Sequence, residues 1–156
     1  MEFPELPDAD PDAVGNDVIS FNFEDVEPDD LLSDPGAVES WLRAAARNEE
    51  KPLVELTYVF CSDEYLRRIN LEYLQHDYYT DVITFPYDDN AIHGDVFIST
   101  ERVADNARTL GVAFRHELYR VMVHGLLHLA GFRDETDEQE AEMRAREDFY
   151  LRQIEL

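Results

Sequence analysis

Positive charge is what this sequence has least of. Lys51 is the single lysine, and with the arginines it makes 13 bases against 36 acids, a net charge of −23 over 156 residues. Such a balance lacks the basic stripe by which most nucleic-acid binders follow phosphates, and its field repels anions at low salt. Cysteine is nearly absent as well: Cys61 stands alone, which excludes an internal disulfide and leaves a small apolar residue for packing. No run approaches the roughly 18 apolar residues of a membrane span. The opening Met1-Glu2-Phe3-Pro4-Glu5 lacks the basic and apolar regions of a signal peptide, so the expected location is the cytoplasm. There are no repeats. What is present is 44% hydrophobic residues, enough to build the core of one domain of this length.

The acids lie along the whole chain and arginine stands in for lysine, a pattern that fits adaptation to high internal salt. At about 1 M salt the Debye length falls to about 3 Å, so the self-repulsion of the chain is screened. The rival reading, an acidic surface that meets a basic partner, has no separate motif to support it.

Hydrophobic periodicity divides the chain into an acidic, proline-bearing leader over residues 1–17, expected to be disordered, and one domain over 18–156. Alternation predicts strands at 18–23 and from Leu53 to Phe60, the second with Val54, Leu56, Tyr58 and Phe60 on one side. Asp34-Pro35 opens a helix carrying Val38, Trp41, Leu42 and Ala45 inward. Ser62 caps another with Leu66, Ile69 and Tyr73 as its buried stripe. Val82 to Phe85 and Val96 to Ser99 read as a hairpin-like pair of strands. Ser99 or Thr100 caps a helix with Val103, Ala107 and Leu110 inward, stopped by Gly111. Thr136 with Gln139 forms a capping box for a last helix carrying Met143, Tyr150 and Ile154. This order predicts an α+β fold with a small mixed sheet.

Between these helices lies the most informative run, His124-Gly-Leu-Leu-His128-Leu-Ala-Gly131-Phe-Arg-Asp134. Residues four apart share a helix face, so both imidazoles can meet one cation. Gly131 can take the left-handed conformation that ends a helix and turns the chain back, bringing Asp134 beneath the same cation as a third ligand. Two imidazoles and a carboxylate suit Zn²⁺, one ion per chain, and three protein ligands leave a position open for chemistry. The surrounding helix, about 114–130, is apolar nearly all round, and two buried imidazoles without partners would cost about 1–3 kcal/mol each. Asp134 rather than Glu135 is expected to complete the set, because three residues beyond Gly131 is the reach of the turn. Zinc peptidases of the HExxH type carry a general base beside the first histidine; Gly125 occupies that place here and cannot take a proton.

This run resembles the HGxLHLxGxDH motif of the YbeY-type endoribonucleases. Asn70-Leu-Glu-Tyr73 followed by Thr80-Asp-Val-Ile-Thr-Phe-Pro86 is similar to that family's LNxxYR…PTDVLSFP stretch, and Gly94-Asp-Val-Phe-Ile-Ser99 to its GDIVIS strand. The resemblance spans roughly Val54 to Leu151. It implies an α+β domain with the metal site on a buried central helix and the loop after it. It also implies a zinc-dependent, single-strand-specific endoribonuclease acting in ribosomal RNA processing, including maturation of the 16S rRNA 3′ end and ribosome quality control, with the ribosome or small-subunit rRNA as partner. Three positions depart from the pattern. Asp134 stands where the family has its third histidine, Leu74 where it has an arginine regarded as important for activity, and Tyr79 where it has a proline.

The other polar residues have weaker assignments. Asp95 could orient a metal-binding imidazole or only cap a turn. Arg120, one turn before His124, and Arg133, beside Asp134, could hold a phosphate or pair with the abundant acids. His116 is expected at the surface, and His76 and His93 in loops near the matched strands, where either could approach the site but a solvated state is favoured. The alternatives to the endoribonuclease reading are a metal hydrolase of another class, such as a peptidase with its base elsewhere, and a ribosome-associated binding module with a structural zinc.

Overall fold

The computed structural model describes residues 18–28 and 31–154; the leader expected over 1–17 lies outside them. In chain order the elements are β1 (Val18–Phe23), α1 (Pro35–Asn48), β2 (Leu53–Cys61), α2 (Asp63–Leu74), β3 (Val82–Pro86), β4 (Ile92–Ser99), α3 (Thr100–Leu110), α4 (Phe114–Leu129) and α5 (Asp137–Leu151). The strands form one mixed sheet in the order β1-β2-β4-β3, with β1-β2 and β2-β4 parallel and β3-β4 antiparallel. The α+β architecture expected of the sequence is the one observed.

Strand alternation sends side chains to two cores. Leu56, Tyr58, Phe60, Val96 and Ile98 face the larger one, shared with α1, α4 and α5. Cys61, Ile83, Phe85 and Phe97 face a smaller one built with Leu66 and Ile69 of α2. Helices therefore cover both faces, and α4 lies against β4 and β3 with α3 and α5 beside it. Two polar links fix this arrangement within the core. The Tyr58 hydroxyl donates to the Met122 carbonyl at 2.7 Å, and the Trp41 indole donates to the Tyr150 carbonyl at 2.8 Å. Gly125 lies where α4 crosses β4: a Cβ there would stand 2.7 Å from Val96 Cγ1, so the helix can sit this close to the strand with no side chain at that position.

The expected caps are all present: Asp34, Ser62 and Ser99 accept from the first turns of α1, α2 and α3, and Thr136 and Gln139 form the capping box of α5. Several inward assignments fail at element ends. Val54 is exposed beside a register irregularity between Leu53 and Glu55. Tyr73 and Leu110 lie in the last turns of α2 and α3 and are exposed; Tyr73 keeps an edge contact with Phe85. Helix α5 stops at Leu151, so Ile154 packs from the following turn rather than from the helix. His93 is a residue of β4, not of a loop, with its ring against Tyr87. Among the described residues no helix is long and apolar enough to cross a membrane.

Candidate metal centre

Helix α4 places His124 and His128 one turn apart, with ring centroids separated by 4.6 Å. The helix then ends as its sequence dictates. Gly131 takes φ +108°, its N–H donates to the His128 carbonyl, and the Phe132 N–H donates to the Leu127 carbonyl. These two bonds close the glycine-terminated helix end and turn the chain back. The turn delivers Asp134, whose Oδ2 lies 3.5 Å from His124 Nε2 and 3.4 Å from His128 Nε2. Glu135 points away, exposed and within 3.3 Å of Arg133.

The donor atoms of His124, His128 and Asp134 all lie within 4.8 Å of one another. Atoms about 2.0 Å from one tetrahedral ion stand about 3.3 Å apart, so the two imidazole-to-carboxylate distances fit a shared cation. The centre is backed by a carboxylate the sequence reading did not single out. Glu147 of α5, 5% exposed, meets His124 Nδ1 at 2.6 Å through Oε2, and its Oε1 accepts from Arg120 at 2.8 Å. A carboxylate on the far nitrogen fixes the ring and directs Nε2 at the cation. The second nitrogen of the Arg120 guanidinium donates to Asp148 at 2.6 Å, which completes a chain from Asp148 through Arg120 and Glu147 to His124.

Burial pulls the His124 imidazole down, but the Glu147 hydrogen bond and the charges of Glu147, Asp134 and Asp81 outweigh it, and the net shift is upward. Burial and the neighbouring His124 hold His128 below the usual histidine value.

The centre opens into a cavity of about 720 Å³ walled by α4, α5 and the segment entering β3. Asp81 and Glu117 line it, and burial pushes both carboxyls above the usual carboxylate range. Glu117 is 6% exposed and, among the described residues, its Oε1 has no hydrogen-bond partner. Neither residue was anticipated. The available signal was an acid on an apolar face: Glu117 precedes His124 by two turns on α4, and Glu147 interrupts the buried stripe Met143, Tyr150, Leu151 of α5.

The remaining sequence candidates are dispersed. Asp95 does not meet an imidazole of the centre; its carboxylate accepts from the Tyr87 hydroxyl at 2.6 Å, and the orienting role, one of the two open to it, falls to Glu147. Arg120 lines the cavity but is engaged by Glu147 and Asp148, and Arg133 is exposed beside Glu135. His116 is half-buried near Arg120 and Asp148, and His76 is exposed and stacked on Tyr78.

The model of the endoribonuclease YbeY family matches residues 35–155. The chain belongs to the YbeY endoribonuclease family. It is 46% identical over 132 residues to the "Endoribonuclease YbeY" of Flavobacterium johnsoniae, covering 84% of this chain and 93% of the relative. It is 48% identical over 122 residues to that of Amoebophilus asiaticus, covering 77% and 83%. Among solved structures, the solution structure of TM1509 from Thermotoga maritima aligns over 86% of each chain with a TM-score of 0.65 and 26% identity. Against the YbeY motif, the departing Leu74 is an exposed residue at the end of α2, outside the residues that line the cavity. Tyr79 lies beneath the guanidinium groups of Arg67 and Arg102.

Proposed function

We propose that this YbeY-family protein is a zinc-dependent endoribonuclease that cuts single-stranded RNA in ribosomal RNA processing, with His124, His128 and Asp134 as the ligands of one ion per chain. It acts in the cytoplasm from a single domain over residues 18–156. The observation that carries the reading is the convergence of the two Nε2 atoms on one Asp134 oxygen, with Glu147 fixing the first imidazole. Two nitrogens and one oxygen suit Zn²⁺ and leave a coordination position open. An ion held there supplies Lewis acidity toward a phosphoryl oxygen or a water.

The protein's own residues do the positioning. Glu147 accepts a hydrogen bond from His124 Nδ1–H, which leaves Nε2 as the nitrogen that faces the ion. Asp148 and Glu147 hold Arg120 across α4 and α5, so the two helices that form the cavity walls stay in register with the centre. The cavity admits an unpaired strand, whose bases are free to turn outward, more readily than a duplex.

The test is RNA cleavage with metal content measured on the same preparations. Wild-type protein purifies with about one zinc per chain and cuts single-stranded RNA, and a chelator abolishes the cutting until zinc is restored. His128→Ala and Asp134→Ala lose the metal, whereas Glu135→Ala keeps it. Chelator-resistant cleavage, or metal lost from Glu135→Ala and kept by Asp134→Ala, overturns the assignment.

A further inference from the structure

The cavity beside the metal centre reaches beyond it to Glu117 and Arg144. Glu117 is nine-tenths buried, with Oε1 unpartnered among the described residues, and lines the same cavity as His124. Its charged neighbours are Asp81 before β3, Arg120 on its own helix, and Arg144 and Glu147 on α5. Arg120 is committed to Glu147 and Asp148. Arg144 is exposed and, among the described residues, makes no hydrogen bond or ion pair.

Seven helical residues place Glu117 about 10 Å along the axis from His124, and its side chain leans further toward the helix start. At that distance the carboxyl cannot reach a bond being cut at the metal centre. It can reach a neighbouring nucleotide, and 720 Å³ is room for one. The acids beside Glu117 are Asp81 and Glu147, a setting that suits the hydrogen-bond donors of a base edge better than a phosphate.

We propose that this end of the cavity reads the base of a nucleotide flanking the cut: Glu117 accepts a hydrogen bond from the exocyclic amino group of cytosine, adenine or guanine, while Arg144 at the mouth holds that nucleotide's phosphate. The subsite rests on the RNA-cleaving reading above. A carboxylate accepting from cytosine N4 is an established base contact, and single-stranded RNA presents such edges freely. Uracil offers a carbonyl oxygen at the same place, so two acceptors would face each other and the buried Glu117 oxygen would stay unpaired. Sites built to bond a donor discriminate strongly against the analogue that lacks it.

Binding of 2′-O-methyl hexauridylates, each with one cytosine stepped through the six positions, to the zinc-loaded full chain tests this by fluorescence anisotropy. At one position cytosine tightens binding about tenfold over uracil. Glu117→Met reduces the ratio to about one, and Glu117→Gln, which keeps an acceptor oxygen, restores part of it. Arg144→Ala weakens both oligonucleotides alike and leaves the ratio standing. Thermal melts establish that each variant is folded. No preferred position in the wild type, or a preference that survives Glu117→Met, overturns the subsite. Unmodified versions of the same oligonucleotides separate the two claims. Chelator-sensitive cleavage without a cytosine step removes the subsite alone, and a cytosine step without cleavage removes the nuclease reading alone.

Discussion

Two glutamates face the same cavity, almost equally buried, and live in opposite circumstances. Glu147 is 5% exposed with both oxygens engaged, by Arg120 on one side and His124 on the other. Glu117 is 6% exposed, shares its wall with the like-charged Asp81, and has an oxygen with no hydrogen-bond partner among the described residues. A buried charge is tolerated where its partners replace the water it lost; an unpartnered one costs stability and persists only if it serves something else. The two ends of the cavity therefore differ in kind. The Glu147 end is a finished structural device that aims an imidazole, and the Glu117 end is a surface still to be complemented.

The largest effect expected from breaking this contrast is at Glu147. Replacing it with alanine leaves Arg120 without its buried partner and His124 without its orienting bond. Loss of one member of a buried pair costs about 3–5 kcal/mol, read as a lower urea midpoint. Loss of the carboxylate behind a metal-binding histidine weakens the metal about 10- to 100-fold, read by competition with a chromophoric chelator. Glu147→Gln, which keeps an acceptor but drops the charge, lies between wild type and Glu147→Ala on both measures. Unchanged zinc affinity in Glu147→Ala would show that the carboxylate holds the helices and does not aim the ring.

At Glu117 the sign reverses. Burial and Asp81 raise its carboxyl pKa above the unfolded value, so the folded state binds this proton more tightly than the unfolded chain does. Its destabilisation is absent below the unfolded pKa of about 4.3 and develops as pH rises through the folded value. Glu117→Gln, an isostere of the protonated acid, should therefore match wild type near pH 4 and exceed it at pH 7. The gain is about 1–3 kcal/mol, with each kcal/mol worth about 2–4 °C in melting temperature for a chain of this size. Equal stability of the two proteins at pH 7 would mean that Glu117 is already satisfied in the folded protein.

The contrast between the two glutamates also marks where the sequence was legible. His124, His128, Gly131 and Asp134 could be read because their geometry is local: one helical turn, one glycine-terminated helix end and three further residues bring the donors together. Caps and most buried stripes were readable for the same reason. Glu147 was not, because it reaches His124 from a separate helix whose docking depends on the packing of Met143, Tyr150 and Leu151. For Asp95 motif position alone leaves an orienting and a turn-capping role open, and strand pairing turns it toward Tyr87. Tyr73 and Leu110 follow the helical period but lie in the last turns of α2 and α3 and are exposed, since periodicity carries no information about how far along a helix its neighbours cover it.

The smallest effect concerns the exposed acids at the mouth of the cavity. Asp137 and Glu140 stand in the first turn of α5, line the cavity and are open to solvent, unlike either buried glutamate. Their charges oppose an approaching RNA backbone, but through water, so the opposition fades as the Debye length shrinks from about 10 Å at 0.1 M salt to about 3 Å at 1 M. Asp137→Asn combined with Glu140→Gln should tighten binding of single-stranded RNA a few-fold at 0.1 M salt and leave it unchanged at 1 M. The cost is a slightly weaker α5, since acids in a first turn contribute about 0.3–1 kcal/mol each through the helix dipole. Wild-type cleavage should likewise rise from low salt toward about 1 M before counterion release reduces it. A gain in the double variant that persists undiminished at 1 M would show that these acids act by direct contact rather than through their field. A wild-type activity that falls steadily with salt while the fold stays intact would show that the −23 charge does not govern access to the site.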